Sequence, residues 1–308
     1  MRFRTGRAWS VLLLVALAAG FTTAVEAATP RRKASRAGIH RTAPAARRAT
    51  RHTARRRARR PPPGGVYARS AIVLDPSSGR VLFEKNAGRS VPIASLTKLM
   101  TALVFLEQTP ELSRSAEVTR AELTGGGHTR LRRGEFVTLR DLLHMSLMCS
   151  DNVATRVLVR ESGMAPEDFL ARMNKKANEL DMPDTRFVEF TGLDVRDVST
   201  AIDVARLLRA AADNDLIREV STTLHYNFRS DAYQHQVANT NRLLYNRHME
   251  IIGGKTGFIR ESGYCLATWI RTQGRDIIAV VLGAPTNATR FADVVRLVQR
   301  TLSGSPPG

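Results

Sequence analysis

The order of strand-like and helix-like segments along the chain constrains its fold more than any other sequence feature. Apolar and β-branched runs at 71–75 and 81–84 flank the turn at 76–79, and similar runs return at 263–270 and 276–283. Such runs predict strands. Apolar residues at three- and four-residue spacing predict helices between them. The segments with this helical spacing are 96–107, 139–148, 152–161, 166–180 and 200–212, and a closing helix is expected at 291–302.

Strands at both ends of the chain and helices between them predict an α+β fold. We expect the two ends to meet in one antiparallel sheet that is covered by helices, with a helical cluster beside it. The regular strand and helix alternation of a Rossmann fold or a barrel is missing. A chain of 308 residues that is 43% hydrophobic can bury a substantial core. We therefore expect one folded domain at 66–304, followed by a disordered C-terminus at 305–308.

The first 28 residues have the pattern of a secretory signal peptide. Three arginines precede an apolar run at 9–21, and small residues follow it at 24–28. The run has 13 residues, fewer than the roughly 20 that a spanning helix needs. We therefore expect cleavage and export to the periplasm or cell-wall space, with a membrane anchor as the alternative.

Most of the positive charge is concentrated near the N-terminus. The formal net charge is +19, but residues 1–65 contain 16 Lys and Arg and a single acidic residue, so the rest carries only +4. The segment 29–65, rich in Arg, Pro and Ala, is expected to be disordered. It is either a solvated spacer, which we favour, or an attachment to anionic envelope polymers. Nucleic acid is not an expected partner, because the segment lacks aromatic residues and the leader indicates export.

Three short strings point to nucleophilic catalysis. They are S-x-x-K at Ser95 and Lys98, S-x-N at Ser150 and Asn152, and Lys255-Thr256-Gly257. In this order they are expected by chance in on the order of two chains in a thousand. Ser95 and Lys98 are one helical turn apart, so the amine can reach the hydroxyl. A buried lysine near a second cation, here Lys255, can act as the base that a serine nucleophile needs.

The remaining groups of these strings fit the later steps of an acyl transfer. Ser150 can pass a proton to a leaving amine, and Asn152 can hold a substrate carbonyl while it orients the lysine. Thr256, together with Lys255, suits a carboxylate or polar end of a substrate. Gly257 would allow an extended substrate to approach closely.

Backbone N–H groups are the expected donors to a developing oxyanion. Ser95 is expected near the start of a helix, where the helix dipole favours a negatively charged oxygen. The N–H of Phe258 is the candidate for the second donor. The alternative to a catalytic role is that each string is an ordinary surface triplet. Ser95 would then be a helix cap and Lys255 a solvated charge.

The three strings resemble those of penicillin-binding proteins and class A β-lactamases. Longer strings resemble the D-alanyl-D-alanine endopeptidase branch of the low-molecular-mass penicillin-binding proteins, the penicillin-binding protein 7 type, over roughly 68–302. These longer strings lie at 94–100, 191–193, 198–201, 239–245 and 255–258. The resemblance implies a serine β-lactamase/DD-peptidase-like fold with one catalytic domain, and neither a cofactor nor a metal.

The resemblance also implies an acyl-enzyme mechanism on peptidoglycan stem peptides. Ser95 would attack the D-alanyl carbonyl, the amine would leave, and water would hydrolyse the ester. Penicillin would acylate the same serine, because its lactam imitates the D-alanyl-D-alanine terminus. An arginine late in the chain would hold the substrate carboxylate. Arg290 has the corresponding place, with a plain surface residue as the alternative.

Three other activities are alternatives to the endopeptidase. Carboxypeptidase members commonly add a β-rich domain, and only 51 residues follow Gly257, which favours the endopeptidase and leaves the carboxypeptidase open. A β-lactamase needs a carboxylate for deacylation. The nearest candidate, Glu167, is better interpreted as a first-turn helix acid after Pro166. A non-catalytic wall-binding protein also stays open.

The sequence lacks the motifs of two further enzyme classes. A metallopeptidase is not expected, because the seven histidines form no H-E-x-x-H string, and a Ser-His-Asp hydrolase is not expected, because no G-x-S-x-G turn occurs. Cys149 and Cys265 are expected to be two buried thiols, with a disulfide as the alternative in an exported protein.

Overall fold

The structure is a computed structural model that describes residues 65–304. The predicted leader at 1–28, the basic segment up to residue 64 and the C-terminal residues 305–308 lie outside the described residues, and they stay predictions. Among residues 65–304, none of the helices has the length and apolar character needed to cross a membrane.

The strands of the described part of the chain are numbered in chain order. They are β1 (Ser70–Leu74), β2 (Val81–Lys85), β3 (Val91–Pro92), β4 (Ser115–Glu117), β5 (Phe136–Thr138), β6 (Val198–Ser199), β7 (His225–Arg229), β8 (Gln234–Ala238), β9 (Glu250–Ile259), β10 (Gly263–Thr272) and β11 (Arg275–Ala284).

The helices are numbered in the same way. They are α1 (Thr97–Glu107), α2 (Arg120–Leu123), α3 (Leu139–Met148), α4 (Asn152–Glu161), α5 (Pro166–Glu179), α6 (Ala201–Asp213), α7 (Asp215–Thr222) and α8 (Asn287–Leu302). Short 3₁₀ turns occur at Ala94–Leu96 and Arg242–Tyr245.

The central sheet has the strand order β2-β1-β11-β10-β9, and every neighbouring pair is antiparallel. The first and the last strand of the chain are neighbours, since Ile72 of β1 lies opposite Val280 of β11. The predicted α+β class and the meeting of the chain ends in one antiparallel sheet are confirmed. Because β9 is an edge strand, one side of it is free of strand pairing in this sheet.

The sheet is buried on both faces. Along β11, Ile278 and Val280 belong to the core that the sheet shares with the helical cluster. Ile277 and Ala279 belong to a second core, which includes Leu297 of α8. Successive side chains of a strand point to opposite faces, so a strand between two helical layers is apolar throughout. This explains the unbroken apolar run at 277–283 within the predicted strand.

Helix α1 lies in the middle of the helical cluster. All of residues 97–105 are buried, so the helix has no solvent-exposed face over this length. A helix that is apolar nearly all round is a core helix. Its only lysine in this stretch, Lys98, is therefore carried into the interior.

Several boundaries follow from capping. The Thr200 hydroxyl accepts the N–H of Asp203 at 3.1 Å and so caps α6, which begins at Ala201, one residue after the predicted 200. The closing helix starts at Asn287, four residues before the predicted 291, because the Thr286 hydroxyl accepts the N–H of Thr289 at 3.1 Å. Arg290 therefore lies inside the first turns of α8.

The position predicted for the third string was wrong. From the apolar run at 263–270 we expected the strand to follow 255–257, but these three residues themselves lie in the middle of β9. The glycines at 253 and 254 weaken the strand pattern in the sequence, although both pair with β10. Helices α2 and α7 and the β7–β8 hairpin were not predicted.

The packing of α8 on the sheet is tested at Leu297. Replacement by Ala leaves a cavity, so we expect Leu297→Ala to lower the free energy of unfolding by about 2–5 kcal/mol. Gln299 is exposed on the same helix, and Gln299→Ala should change it by less than about 0.5 kcal/mol. Urea unfolding followed by circular dichroism measures both. If both variants lower the free energy of unfolding by less than about 0.5 kcal/mol, the packing of Leu297 between α8 and the sheet is contradicted.

Candidate active site

Ser95 lies in the 3₁₀ turn that immediately precedes α1. The preceding residue, Ala94, has φ +50°, a left-handed conformation that is rare for alanine and costs energy. The turn places Ser95 at the N-terminal end of α1, where unpaired N–H groups and the helix dipole favour a negatively charged oxygen.

Two glycines pack directly against this turn. A Cβ on Gly257 would lie 2.8 Å from the carbonyl oxygen of Ile93, and one on Gly192 would lie 2.0 Å from that of Ala94. Gly192 also has φ +80°. The sequence interpretation assigned the space at Gly257 to a substrate strand. The close neighbour in the structure is instead the protein's own backbone at 93–95.

The Lys98 amine is fully buried and contacts three oxygen atoms. Its Nζ lies 3.1 Å from Ser95 Oγ, 2.7 Å from Asn152 Oδ1 and 2.6 Å from the carbonyl oxygen of Thr191. The last two oxygens can only accept hydrogen bonds. A neutral amine gives its two N–H groups to them, and its lone pair then faces the Ser95 hydroxyl. The arrangement can therefore receive the Ser95 proton.

Burial lowers the pKa of Lys98 to about 8. The negative charges of Glu189, Asp151 and Asp197 oppose this effect of burial, and the charge of Arg156 adds to it. A group with a pKa near 8 is partly neutral close to neutral pH, whereas an ordinary lysine is not. Lys98 can thus serve as a base under mild conditions.

Ser150 and Lys255 form a second hydroxyl–amine pair. Lys255 Nζ donates to Ser150 Oγ at 2.8 Å and to the carbonyl oxygen of Thr256 at 3.1 Å. Burial, and after it the charge of Lys98, holds the pKa of Lys255 well below its usual range. We expected a second cation to lower the pKa of Lys98. Burial is instead the main cause at Lys98.

Asn152 and Asp151 join the second string to the first. Asn152 is the first residue of α4, where the helix predicted at 152–161 begins. Its Oδ1 accepts from Lys98 and its Nδ2 donates to the carbonyl oxygen of Gly126 at 3.0 Å. Asp151 caps α4, because its carboxylate accepts the N–H of Ala154 at 2.9 Å. The amide of Asn152 is therefore fixed from both ends.

Thr240 contacts the third string and was not singled out from the sequence. Its hydroxyl lies 2.6 Å from Thr256 Oγ1 and 3.0 Å from the carbonyl oxygen of Met148. A hydroxyl has one proton, so when Thr240 donates to Met148 it accepts from Thr256. Thr240 belongs to the string at 239–245, which carried the family resemblance but no assigned role.

Arg290 is buried, with 6% of its surface exposed, so its interpretation as a plain surface residue is wrong. Its Nη1 donates to the carbonyl oxygens of Gly257 at 3.1 Å and Cys265 at 3.3 Å. Its guanidinium lies 5.5 Å from the ring of Tyr264, which stacks on Phe258 at 4.2 Å. Burial lowers its pKa to about 10. Within residues 65–304, its Nε has no hydrogen-bond partner.

The remaining candidates are less closely involved. Cys149 and Cys265 are both free thiols, which confirms the favoured interpretation, although Cys149 is half-buried. Burial raises the pKa of Cys149 to about 11, which makes it a poor nucleophile. Glu167 is exposed in the first turn of α5, after Pro166, as expected. In the described part of the chain, no three His, Cys, Asp or Glu side chains are grouped as a metal site requires.

The α+β fold and the pair formed by half-buried Ser95 and buried Lys98 define a serine peptidase. The profile of the peptidase S11 family, described as D-alanyl-D-alanine carboxypeptidase, matches residues 56–286, and the chain belongs to this family. The predicted family is confirmed.

Relatives within the family include enzymes of both specificities. The D-alanyl-D-alanine endopeptidase of Pseudomonas aeruginosa is 39% identical over 232 residues, which cover 74% of this chain and 75% of that protein. The D-alanyl-D-alanine endopeptidase of Escherichia coli K12 is 34% identical over 236 residues, 75% of this chain and 76% of that protein. The D-alanyl-D-alanine carboxypeptidase DacF of Bacillus subtilis is 30% identical, over 77% of this chain and 62% of that protein.

Solved structures confirm the predicted fold class. The Streptomyces K15 DD-transpeptidase superposes with a TM-score of 0.72 at 25% identity, over 77% of this chain and 98% of that chain. Penicillin-binding protein D2 from Listeria monocytogenes, in its cefotaxime-bound form, has a TM-score of 0.68 at 30% identity, with the same coverage.

The contact between Gly192 and the Ser95 turn can be tested with a matched glycine. Gly163 has φ +77° and open space around its Cβ position, so Gly163→Ala should cost only about 1–2 kcal/mol of backbone strain. Gly192→Ala adds a clash with Ala94, so we expect a larger loss and at least about tenfold slower acylation by a fluorescent penicillin. Urea unfolding and acylation kinetics measure both. Equal behaviour of the two variants would contradict the contact.

Proposed function

We propose that this protein is a serine DD-endopeptidase that hydrolyses D-alanyl cross-links in peptidoglycan through a Ser95 acyl-enzyme. The observation that carries the proposal is the Lys98 amine, which lies 3.1 Å from Ser95 Oγ and whose other two contacts are acceptors. This arrangement supplies the base that a serine nucleophile requires.

Acylation would use both hydroxyl–amine pairs. The Ser95 proton moves to Lys98 Nζ while Oγ attacks the D-alanyl carbonyl. The resulting oxyanion faces the backbone N–H groups of Ser95 and Phe258. Ser150 then gives its proton to the leaving amine, and Lys255, 2.8 Å away, stabilises and reprotonates its oxygen. The products are an ester on Ser95 and a free amine.

Deacylation would need only water and the same base. Before this step Lys98 gives to solvent the proton that it gained in acylation, and Lys255 regains one. Water then attacks the ester and passes its proton to Lys98, which delivers it to Ser95 Oγ as the serine leaves as a hydroxyl. Penicillins and related β-lactams would form the same ester. Glu167, the nearest candidate for a deacylating carboxylate, is exposed on α5, which supports slow release and inhibition rather than β-lactamase turnover.

Substrate recognition would rest on the cationic wall beside the nucleophile. Lys255 and Arg290 are buried, and Thr256 adds a hydroxyl to the same strand. We assign to Arg290 and Thr256 the carboxylate next to the scissile amide, which stem peptides and penicillins share. Gly257 and Phe258 present the edge of β9 to an extended substrate.

A D-alanyl-D-alanine carboxypeptidase is the second candidate, because the family profile carries that description. The endopeptidase is favoured by the relatives. Three proteins with that name are 34–39% identical, and the alignments cover 70–76% of their length. The carboxypeptidase relatives are 28–32% identical, and the alignments cover 60–64% of their length.

The proposed substrate requires a location outside the cytoplasm. We infer export to the periplasm or cell-wall space, supported by the leader pattern at 1–28. The basic segment at 29–65 would serve as a spacer, or would attach the enzyme to anionic envelope polymers.

Replacement of Ser95 tests the nucleophile and the substrate together. We expect Ser95→Ala to abolish labelling by fluorescent penicillin and to slow cleavage of cross-linked muropeptides by at least about a thousandfold. Ser90→Ala, at an exposed serine nearby, is the control and should behave as the wild type. Mass spectrometry of products from purified sacculi identifies the bond cut.

The outcomes of this experiment separate the candidates. Labelling that persists in Ser95→Ala would contradict the acyl-enzyme. Release of terminal D-alanine without opening of cross-links would favour the carboxypeptidase, and labelling without any cleavage would favour a non-catalytic wall-binding protein.

The pH dependence of acylation tests the role of Lys98. The neutral amine is the base and exists above its pKa of about 8, so protonation removes it as the pH falls. We expect the second-order rate constant for fluorescent penicillin to rise about tenfold per pH unit below pH 8 and to level off above it. Stopped-flow measurement from pH 6 to 10 gives the profile. A rate that does not change between pH 6 and 8 would exclude Lys98 as the base.

A further inference from the structure

The loop at 189–193 supplies one of the three oxygens around the Lys98 amine. The carbonyl oxygen of Thr191 lies 2.6 Å from Lys98 Nζ and is the shortest of its contacts. The next residue, Gly192, lies against the carbonyl of Ala94 with no room for a side chain. The loop therefore touches both the base and the turn that carries the nucleophile.

The side chain of Glu189 accepts hydrogen bonds from other residues of the same loop. Glu189 Oε2 accepts the backbone N–H of Thr191 at 2.8 Å and its hydroxyl at 2.7 Å. Glu189 Oε1 accepts the backbone N–H of Leu193 at 2.8 Å. Hydrogen bonds to a charged acceptor are stronger than neutral ones. These three bonds fix the backbone on both sides of the Thr191 carbonyl, and so fix its direction.

A second carboxyl group fastens the loop to the turn of Ser95. Asp197 Oδ1 accepts the N–H groups of Val188 at 2.7 Å and Glu189 at 3.2 Å, and its Oδ2 accepts the hydroxyl of Thr97 at 3.2 Å. The main-chain oxygen of Asp197 accepts the N–H of Ile93 at 3.1 Å. The segments before and after Ser95 are thus both tied to the loop that carries Glu189.

We propose that Glu189 is a positioning residue for acyl transfer, whose carboxylate holds the Thr191 carbonyl against Lys98 so that the lone pair of the amine faces Ser95. The inference rests on the proposed function. It goes beyond it because Glu189 contacts neither the substrate nor the reacting atoms, and acts only through the Thr191 carbonyl and through its charge.

The charge of Glu189 adds a measurable consequence. The charged groups that act on Lys98 are Glu189, Asp151, Asp197 and Arg156, and Lys255 lies in the same site. Among these charges, Glu189 has the largest effect on the pKa of Lys98. It raises this pKa and so opposes the effect of burial. Removal of this charge should therefore lower the pKa of Lys98.

Asp197 does not fully compensate for removal of the negative charge of Glu189. Burial, and after it the negative charge of Glu189, raises the pKa of Asp197 to about 7. At neutral pH the pair therefore carries less than two negative charges.

The experiment measures the pH profile of acylation by fluorescent penicillin for the full chain and three variants. Glu189→Gln removes the charge and disturbs the three bonds. We expect its acidic limb to move down by about half a pH unit or more, and its limiting rate to fall about tenfold. Glu189→Asp keeps the charge but not the reach. We expect its acidic limb to stay in place while its limiting rate falls.

Asp194 provides the matched control. It lies in the segment just after the loop and pairs with Arg196, and it is not among the charges that act on Lys98. Asp194→Asn removes one carboxylate, as Glu189→Gln does, and should keep the wild-type profile. A wild-type profile in Glu189→Gln would overturn the proposal, and so would the same shift in both variants.

Two measures keep the result interpretable. Rates are expressed per penicillin-reactive site, counted by the labelling stoichiometry at saturation, so that misfolded protein does not enter. If Glu189→Gln does not fold, Glu189→Asp decides: an unchanged limiting rate overturns the proposal. Failure of the proposed function is distinct, since it appears as wild-type protein that is not labelled at Ser95.

Discussion

The buried amine of Lys98 is the constraint on which the rest of the site depends. An ammonium group in the interior is costly unless each N–H finds an acceptor. Here Ser95, Asn152 and Thr191 supply one oxygen each, and they come from three separate segments of the chain. Burial destabilises the charged form and so makes the lysine a base near neutral pH. In the mechanism that we propose, the same burial that is unfavourable for the charged lysine activates the serine.

Holding that amine in place requires contacts between residues far apart in sequence. Thr191 is 93 residues from Lys98, and Lys255 is 105 residues from Ser150. The central position of α1 and the edge position of β9 bring these segments together. The glycines at 192 and 257 then allow the loop and the strand to lie directly against the turn of Ser95. The catalytic geometry is thus a property of the packing of the frame, and not of the strings alone.

This difference explains what the sequence could and could not predict. The Ser95–Lys98 pair was predictable because a spacing of three residues on a helix is local, and the strand at 276–283 because burial on both faces leaves an unbroken apolar run. Glu189 and Thr240 were missed because their importance lies in contacts with groups brought close by folding. The middle of β9 was missed because its adjacent glycines, which the packing requires, look like a break in a strand.

The two other cations of the site suggest why a carboxylate is the natural ligand. Lys255 and Arg290 are buried, and burial lowers the pKa of both. In the described part of the chain, neither side chain forms an ion pair with a carboxylate, and Arg290 Nε lacks a hydrogen-bond partner. Desolvated basic groups without counterions are an unfavourable arrangement in the free protein when they are charged. A bound carboxylate would reduce this unfavourable electrostatic energy. The reduction would contribute to the affinity of the site for an anionic substrate.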